Sequence, residues 1–251
     1  MIDIHTHLLP GVDDGARTFA ESLAALETLA ADGVRRIVCT PHLRASQAAD
    51  APRVRNAALL AELRHRTQGS VELELGWEIM LDGPGADLTA PALRLGDSGA
   101  VLVEFPHGGV PPGAAAELQR IRESGVIPVI AHPERYWGCS VTHVREWRAA
   151  GAVMQGDATF LLGDGDRGRL ARALLEHGLL DLLASDNHGD RRSLRGVRDW
   201  LCEMRAVEAA ELLTSRNAGH LLAGEPLEPV PPVVVDRPLA RRLRELLFGR
   251  S

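Results

Sequence analysis

Val126-Ile127-Pro128-Val129-Ile130-Ala131-His132-Pro133 is an apolar run that stops on a histidine. It lacks the alternation of a strand with one wet face, and it reads as a strand covered on both sides, as in a parallel sheet. Six other stretches read the same way: residues 1–5, 34–42, 71–79, 100–106, 152–158 and 180–188. Between them, residues 19–31, 54–66, 114–124, 144–150 and 167–176 carry apolar side chains at helical spacing. Several of these end beside a glycine, as at Gly33, Gly125, Gly151 and Gly178. Strands alternating with helices predict a parallel α/β architecture, and the pattern alone leaves barrel and open sheet undecided.

The rest of the chain sets bounds. A length of 251 residues suits one α/β domain. Hydrophobic residues make up 45% and aromatics only 4%, so the core is built from Leu, Val, Ile and Ala. A formal charge of −6 argues against a protein that coats nucleic acid. There is no lysine, so all 28 basic residues are arginine, which removes any lysine base or Schiff base. Cys39, Cys139 and Cys202 are odd in number and widely spaced, which points to a reducing cytoplasm without a disulfide frame. No basic-then-apolar leader and no apolar stretch of membrane-spanning length is read, so membrane insertion is not expected. Oligomeric state leaves no signature. After residue 224, Pro226-Leu-Glu-Pro-Val-Pro-Pro232 reads as a stiff linker. Asp236 then caps an expected helix to Phe248 with Leu239, Leu243, Leu246 and Leu247 along one side. The expected division is a main unit over 1–224 and a linker plus C-terminal helix over 225–251.

The histidines and carboxylates carry the chemistry. His5 and His7 fall at the end of the first strand, His42 of the second, Glu78 of the third, Glu104 of the fourth, His132 of the fifth, and Asp186 and His188 of the last. Parallel strands of such a fold end on one face, so residues far apart in sequence converge on one pocket. In His5/His7 and Asp186/His188 the period of two points both side chains the same way on an extended strand. Imidazole with carboxylate suits Mn, Fe or Zn. A lone strand-end histidine is ordinarily a hydrogen-bonded or exposed residue, but five of the ten histidines at strand ends, joined by carboxylates, form a pattern. His65, His143, His177 and His220 fall in helical or flanking segments and read as unremarkable; His107 follows the fourth strand beside the pocket. Of Asp13 and Asp14, which precede Gly15 in a loop beyond His7, Asp14 is taken as the ligand, although Asp-Gly alone would explain a turn. The nine candidates are His5, His7, Asp14, His42, Glu78, Glu104, His132, Asp186 and His188. Their four carboxylates would balance two divalent ions and leave three in excess, a positive site suited to a phosphate dianion.

Other motifs weigh less. Cys139-Ser-Val-Thr-His-Val-Arg145 fits Cys-x5-Arg, but it lacks the glycines that let backbone N–H groups wrap a phosphate, and it reads as a helix start. Gly163-Asp-Gly-Asp-Arg-Gly168 fits Gly-x-Gly-x-x-Gly, but it does not directly follow a strand, and its aspartates would repel a pyrophosphate. Ser185-Asp-Asn187 lacks the lysine its β-lactamase counterpart needs, and no Gly-x-Ser-x-Gly elbow is present.

The segment Asp3-Ile-His-Thr-His-Leu-Leu-Pro-Gly-Val-Asp-Asp-Gly15 resembles the opening motif of the polymerase-and-histidinol-phosphatase (PHP) superfamily, and more narrowly its bacterial capsule and exopolysaccharide tyrosine phosphatases. Thr40-Pro-His42, Gly76-Trp-Glu78, Val103-Glu-Phe-Pro106, Ala131-His-Pro-Glu-Arg-Tyr136, Ser185-Asp-Asn-His188 and Asn217-Ala-Gly-His-Leu-Leu222 are similar to that family's later motifs, in the same order. The resemblance covers residues 1–224. It implies a distorted TIM-like (β/α)7 barrel holding two or three divalent ions, most often Mn, on the nine ligands named. It implies that Arg135 binds the substrate phosphate, and an arginine after Asp186-x-His188, either Arg191 or Arg192, is expected to help; Arg192 is chosen. Leu43 and Asn187 stand where the family often has histidine and alanine. The expected reaction is hydrolysis of a phosphomonoester by a hydroxide bridging the ions. The expected partner is the tyrosine-phosphorylated tail of a bacterial kinase of polysaccharide synthesis, with no nucleic acid involved. The rivals are a histidinol-phosphatase-like small-molecule enzyme, a nuclease-like phosphodiesterase and a non-catalytic metal-binding barrel.

Overall fold

The computed structural model describes residues 1–106 and 108–235; His107 and the helix expected between 236 and 248 lie outside the described residues. In chain order the strands are β1 (Ile2–Thr6), β2 (Arg36–Cys39), β3 (His42–Arg44), β4 (Glu72–Leu75), β5 (Glu78–Met80), β6 (Ala100–Glu104), β7 (Ile127–Ala131), β8 (Val153–Asp157) and β9 (Leu182–Ala184). The second and third expected strands are each broken in two. Pro41, which has no N–H to give a ladder, separates β2 from β3, and Gly76-Trp77 separates β4 from β5. The pairing continues past both breaks: Gly76 N donates to Cys39 O at 2.9 Å and Glu78 N to Pro41 O at 3.1 Å.

All strand pairs are parallel. Strand order is β1-β2-β4 in one sheet and β3-β5-β6-β7-β8-β9 in the other. The last position returns to the first through a parallel bridge between Thr6 and Asn187. There Asp186 N donates to His5 O at 3.1 Å and His7 N to Asn187 O at 2.7 Å. Seven strand positions therefore follow one another in chain order around a ring, in a mixed α/β fold.

The helices are α1 (Phe19–Ala31), α2 (Arg53–Thr67), α3 (Ala114–Glu123), α4 (Val141–Ala149), α5 (Ala158–Leu162), α6 (Asp166–Glu176), α7 (Arg195–Glu203), α8 (Val207–Glu211) and α9 (Asn217–Ala223). Side-chain caps start three of them: Thr18 accepts from Glu21 N, Ser140 from His143 N and Asp157 from Thr159 N. Alternate strand residues enter different apolar clusters, as dual burial of a sheet requires. Val101 and Val103 join Leu118, Ile121 and Trp147 on the helix side. Ala100 and Leu102 join Val129, Ala131, Leu182 and Ala184 in another cluster, with α9 contributing Ala218, Leu221 and Leu222.

Residues 225–235 are held against this body. Asn217 donates to Asp181 O and Glu228 O and accepts from Glu228 N. Val230, Val233 and Val235 are buried. No helix among the described residues is long and apolar enough to cross a membrane.

Candidate metal centre

The structure brings all nine sequence candidates together, although His42 and Glu78 open β3 and β5 instead of closing a longer strand and Asp14 lies in the loop after β1. They form four overlapping groups: His7, Asp14, His42 and His188; His5, Glu78 and His132; His5, His7 and Asp186; and His42, Glu78 and Glu104. Within each group the candidate ligand atoms lie within 4.8 Å of one another. Glu78 sits at the middle. Its Oε2 lies 3.3 Å from His5 Nε2, 3.2 Å from His7 Nε2 and 3.0 Å from His42 Nδ1, while Oε1 pairs with His132 Nε2 at 2.8 Å. Asp186 Oδ1 lies 3.3 Å from both His5 Nε2 and His7 Nε2. His42 Nε2 and His188 Nε2 are 3.3 and 3.5 Å from Asp14 Oδ1, at the exposed lip.

Several of these contacts have ion-pair distance without hydrogen-bond geometry. Glu78 Oε2, Glu104 Oε2 and Asp186 Oδ1 are buried oxygens that make no hydrogen bond. His5 Nε2 and His7 Nε2 face each other at 3.2 Å. Lone pairs aimed at common points, in a dry setting, repel unless a cation lies among them. The residues therefore fit divalent ions, and the imidazole–carboxylate mixture suits first-row transition metals.

Other groups orient these donors. His5 Nδ1 is 2.9 Å from Gln155 Oε1, and His7 Nδ1 is 2.7 Å from Asp13 Oδ2, so each ring turns its Nε2 to the centre. Asp13 also accepts from Gly15 N and His42 N. A Cβ on Gly15 would come within 2.1 Å of His7 O, so this loop reaches the histidine only because residue 15 is glycine. Two site residues hold left-handed backbone, His132 at φ 35° and Asp186 at φ 49°. Such conformations cost a non-glycine residue roughly 1–3 kcal/mol and are tolerated where function holds them.

The electrostatics are polarised. Burial alone would raise the Asp186 pKa, but His5, His7 and Arg135 outweigh it and hold the carboxylate ionised. Glu78 is likewise held well below the usual range: burial is opposed chiefly by His5 and His132. Burial, then the Glu78 charge, pushes Glu104 up to about 7. Burial lowers His132 to about 4, as suits a neutral donor.

Two arginines converge on the cluster. Arg135 Nη2 reaches Asp186 Oδ2 at 2.5 Å and Asp157 Oδ2 at 3.7 Å, and Arg192 Nη1 reaches Asp186 Oδ2 at 3.4 Å. Arg191 is exposed.

The sequence missed part of this arrangement. Asp186 and His188 do not share an extended strand, because β9 stops at Ala184 and the chain turns left-handed at Asp186. They still converge, held by the bridge to β1. The role of Asp13 was obscured by its turn signal. Gln155 and Asp157 had only strand position to mark them. Cys139 is no phosphate loop: Ser140 caps α4, and burial raises the thiol to about 12. Gly165-Asp166 opens α6 after α5 and not after a strand.

Known proteins resemble this chain in sequence and in fold. Residues 1–223 match the protein family described as "Capsular polysaccharide synthesis, CpsB/CapC". The chain is 31% identical to the tyrosine-protein phosphatase YwqE of Bacillus subtilis over 94% of its own length and 97% of that protein's. It superposes with TM-score 0.78 and 28% identity on a crystal structure from work on YwqE of Bacillus subtilis and CpsB of Streptococcus pneumoniae, described as metal-dependent tyrosine phosphatases; the match covers 94% of this chain and all of that one. A phosphotriesterase from Mycobacterium tuberculosis, at 16% identity and TM-score 0.51 over 81% of this chain and 84% of that one, shares the fold alone.

Proposed function

The chain belongs to the CpsB/CapC family of capsular polysaccharide synthesis, and from that premise we propose that it is a metal-dependent protein-tyrosine phosphatase acting on a tyrosine-phosphorylated kinase tail. The observation that carries the reading is the set of buried, unbonded oxygens of Glu78, Glu104 and Asp186 among the imidazoles of His5, His7, His42, His132 and His188, with two guanidiniums converging on Asp186. His5, His7, Asp14, His42, Glu78, Glu104, His132, Asp186 and His188 would hold two or three divalent ions, with Mn the first choice for a site of imidazoles and carboxylates. When bound, such ions supply a nucleophile at neutral pH and offset charge on the phosphoryl oxygens.

The chain's own groups do the rest. Arg135 and Arg192 bind phosphoryl oxygens and set the substrate in line, because a guanidinium fork matches phosphate geometry. Arg135 Nε is a buried donor without a partner, so it has a hydrogen bond to give. Asp186 holds both arginines on the cluster side. Asp13 and Gln155 fix the tautomers of His7 and His5. The leaving tyrosinate, with a pKa of about 10, needs little help from a general acid. The catalytic unit is residues 1–224, acting in the cytoplasm, with residues 225–235 packed against it.

Phosphate release from a phosphotyrosine peptide tests this. Turnover is expected with added Mn and is abolished by EDTA and by His132→Ala. Metal-loaded protein that releases no phosphate from such peptides would sink the assignment.

A further inference from the structure

Arg135 faces two places. Its Nη2 reaches Asp186 in the cluster, and the residue also lines a cleft of about 410 Å³ walled by Gly108, Gly109, Tyr136, Trp137 and Arg167. Among the described residues the wall contains two arginines and no acidic residue. Phe160 links the arginines: Arg135 stands 5.7 Å and Arg167 5.2 Å from its ring centroid. Arg167 is exposed, and its guanidinium makes no ion pair with any described residue, whereas Asp166 beside it is paired with Arg169.

Trp137 forms the other side of the cleft and is 85% exposed. A single exposed aromatic is ordinary on a protein surface. This one projects from a fixed base. The Tyr136 hydroxyl donates to Ala131 O at 2.9 Å and accepts from Phe105 N at 3.2 Å. The loop at Gly109 lies so close that a Cβ there would come within 2.9 Å of Trp137 O. The indole thus shares the cleft with Arg135 on a backbone flanked by these contacts. The cavity on its far side, about 510 Å³, includes Glu146 and His143 and is less suited to an anion.

We propose that the cleft between Trp137 and Arg167 is the subsite that selects an aryl phosphate in an acidic peptide: Trp137 takes the tyrosyl ring, and Arg167 takes an anionic group beside it in the substrate chain. The inference rests on the phosphatase reading above. Arg135 belongs both to the cluster and to the cleft, so a phosphoryl group that it holds would carry its ester group beside the cleft. Aromatic rings stack in offset or edge-on geometry, and a free guanidinium pairs with a carboxylate or a phosphate alike. An alkyl phosphate would use the cluster and the arginines but gain nothing from Trp137.

The test compares kcat/KM of Mn-loaded wild type, Trp137→Ala, Trp137→Phe and Arg167→Gln. The substrates are a phosphotyrosine peptide with acidic neighbours, the same peptide with glutamine neighbours, a doubly phosphorylated version of the latter, and glycerol 2-phosphate. Trp137→Ala is expected to lower the ratio of peptide to glycerol 2-phosphate turnover by about five- to tenfold, with Trp137→Phe restoring most of it. Arg167→Gln is expected to erase a preference of about threefold for the anionic peptides over the neutral one. Loss of preference for the acidic peptide identifies a carboxylate as occupant, and loss only for the doubly phosphorylated one identifies a phosphate. Ratios that stay constant across the variants, or losses equal on every substrate, overturn the subsite while leaving the phosphatase intact. A wild type that turns over no phosphotyrosine peptide overturns both. Both side chains are exposed, so an unchanged melting temperature is expected and separates a binding defect from misfolding.

Discussion

Asp181 and Asp186 flank the two ends of β9, and both are buried, at 7% and 1% exposure, yet they are treated oppositely. Asp181, at the start of the strand, is fully bonded. It accepts from Arg148 at 2.5 Å and from Met154 N at 2.8 Å, and burial still outweighs the Arg148 charge, so its pKa is raised. Asp186, at the far end, leaves Oδ1 without a hydrogen bond, sits on left-handed backbone, and is held ionised by imidazoles and arginine. One end of a parallel strand is finished as structure and the other is left with open valence for chemistry, which is the division expected between the two faces of a β/α ring.

The largest break in that contrast comes from Asp186→Asn. It is expected to lower kcat/KM on a phosphotyrosine peptide by about 100-fold or more, since even the outer partners of metal ligands cost 10–100-fold. Equal activity of Asp186→Asn and wild type would refute its place at the site. Next, EDTA should abolish turnover and lower the melting temperature by about 5–10 °C, the shift for a ligand at roughly 100 times its Kd. Asp181→Asn should keep that metal-dependent shift and Asp186→Asn should shrink it; scanning calorimetry with and without metal decides. Asp13→Asn, which frees His7 Nδ1, is expected to cost about 10–100-fold in metal affinity or activity without touching any substrate group. A metal titration showing wild-type affinity and activity would contradict it.

The smallest effect belongs to Asp181→Asn. It should leave turnover per folded molecule near wild type and lower the melting temperature by about 3–10 °C through lost hydrogen bonds. Its pH dependence has a definite sign. The folded pKa lies above the unfolded value of 3.8, so as pH rises through that window the unfolded chain gives up a proton that the fold retains. The wild-type carboxyl therefore costs progressively more stability as pH rises from about 4, and asparagine does not. The deficit of Asp181→Asn should be largest near pH 4 and shrink toward neutrality. A deficit that grows with pH would show that the ion pair with Arg148 dominates burial.

The same contrast explains what the sequence revealed. Continuous apolar strands and the donors closing them were legible because burial on both faces and convergence of strand ends leave a residue pattern. Helix α1 spans the expected residues 19–31, since Thr18 supplies a cap and the apolar spacing is regular. Helix α7 was not, because Leu194 offers no capping side chain and Gly196 weakens its first turn. The breaks at Pro41 and Gly76-Trp77 were hidden inside apolar runs. Gln155 and Asp157 act through partners distant in sequence, His5 and Arg135, which no local pattern records, and the Asp-Gly turn signal hid the contact of Asp13 with His7. The left-handed turn at Asp186 is set by its bridge to β1, a contact from the opposite end of the chain.

That bridge also sets an order of events. Ser185 N donates to Asp3 Oδ1 across 182 positions of sequence. During synthesis, His5, His7, His42, Glu78, Glu104 and His132 leave the ribosome well before Asp186 and His188 exist to complete the ring. Contacts of such long range form late and slowly. The nascent chain therefore carries most of the candidate donors without a frame to hold them, and any metal loading is expected to follow the arrival of Asp186 and His188.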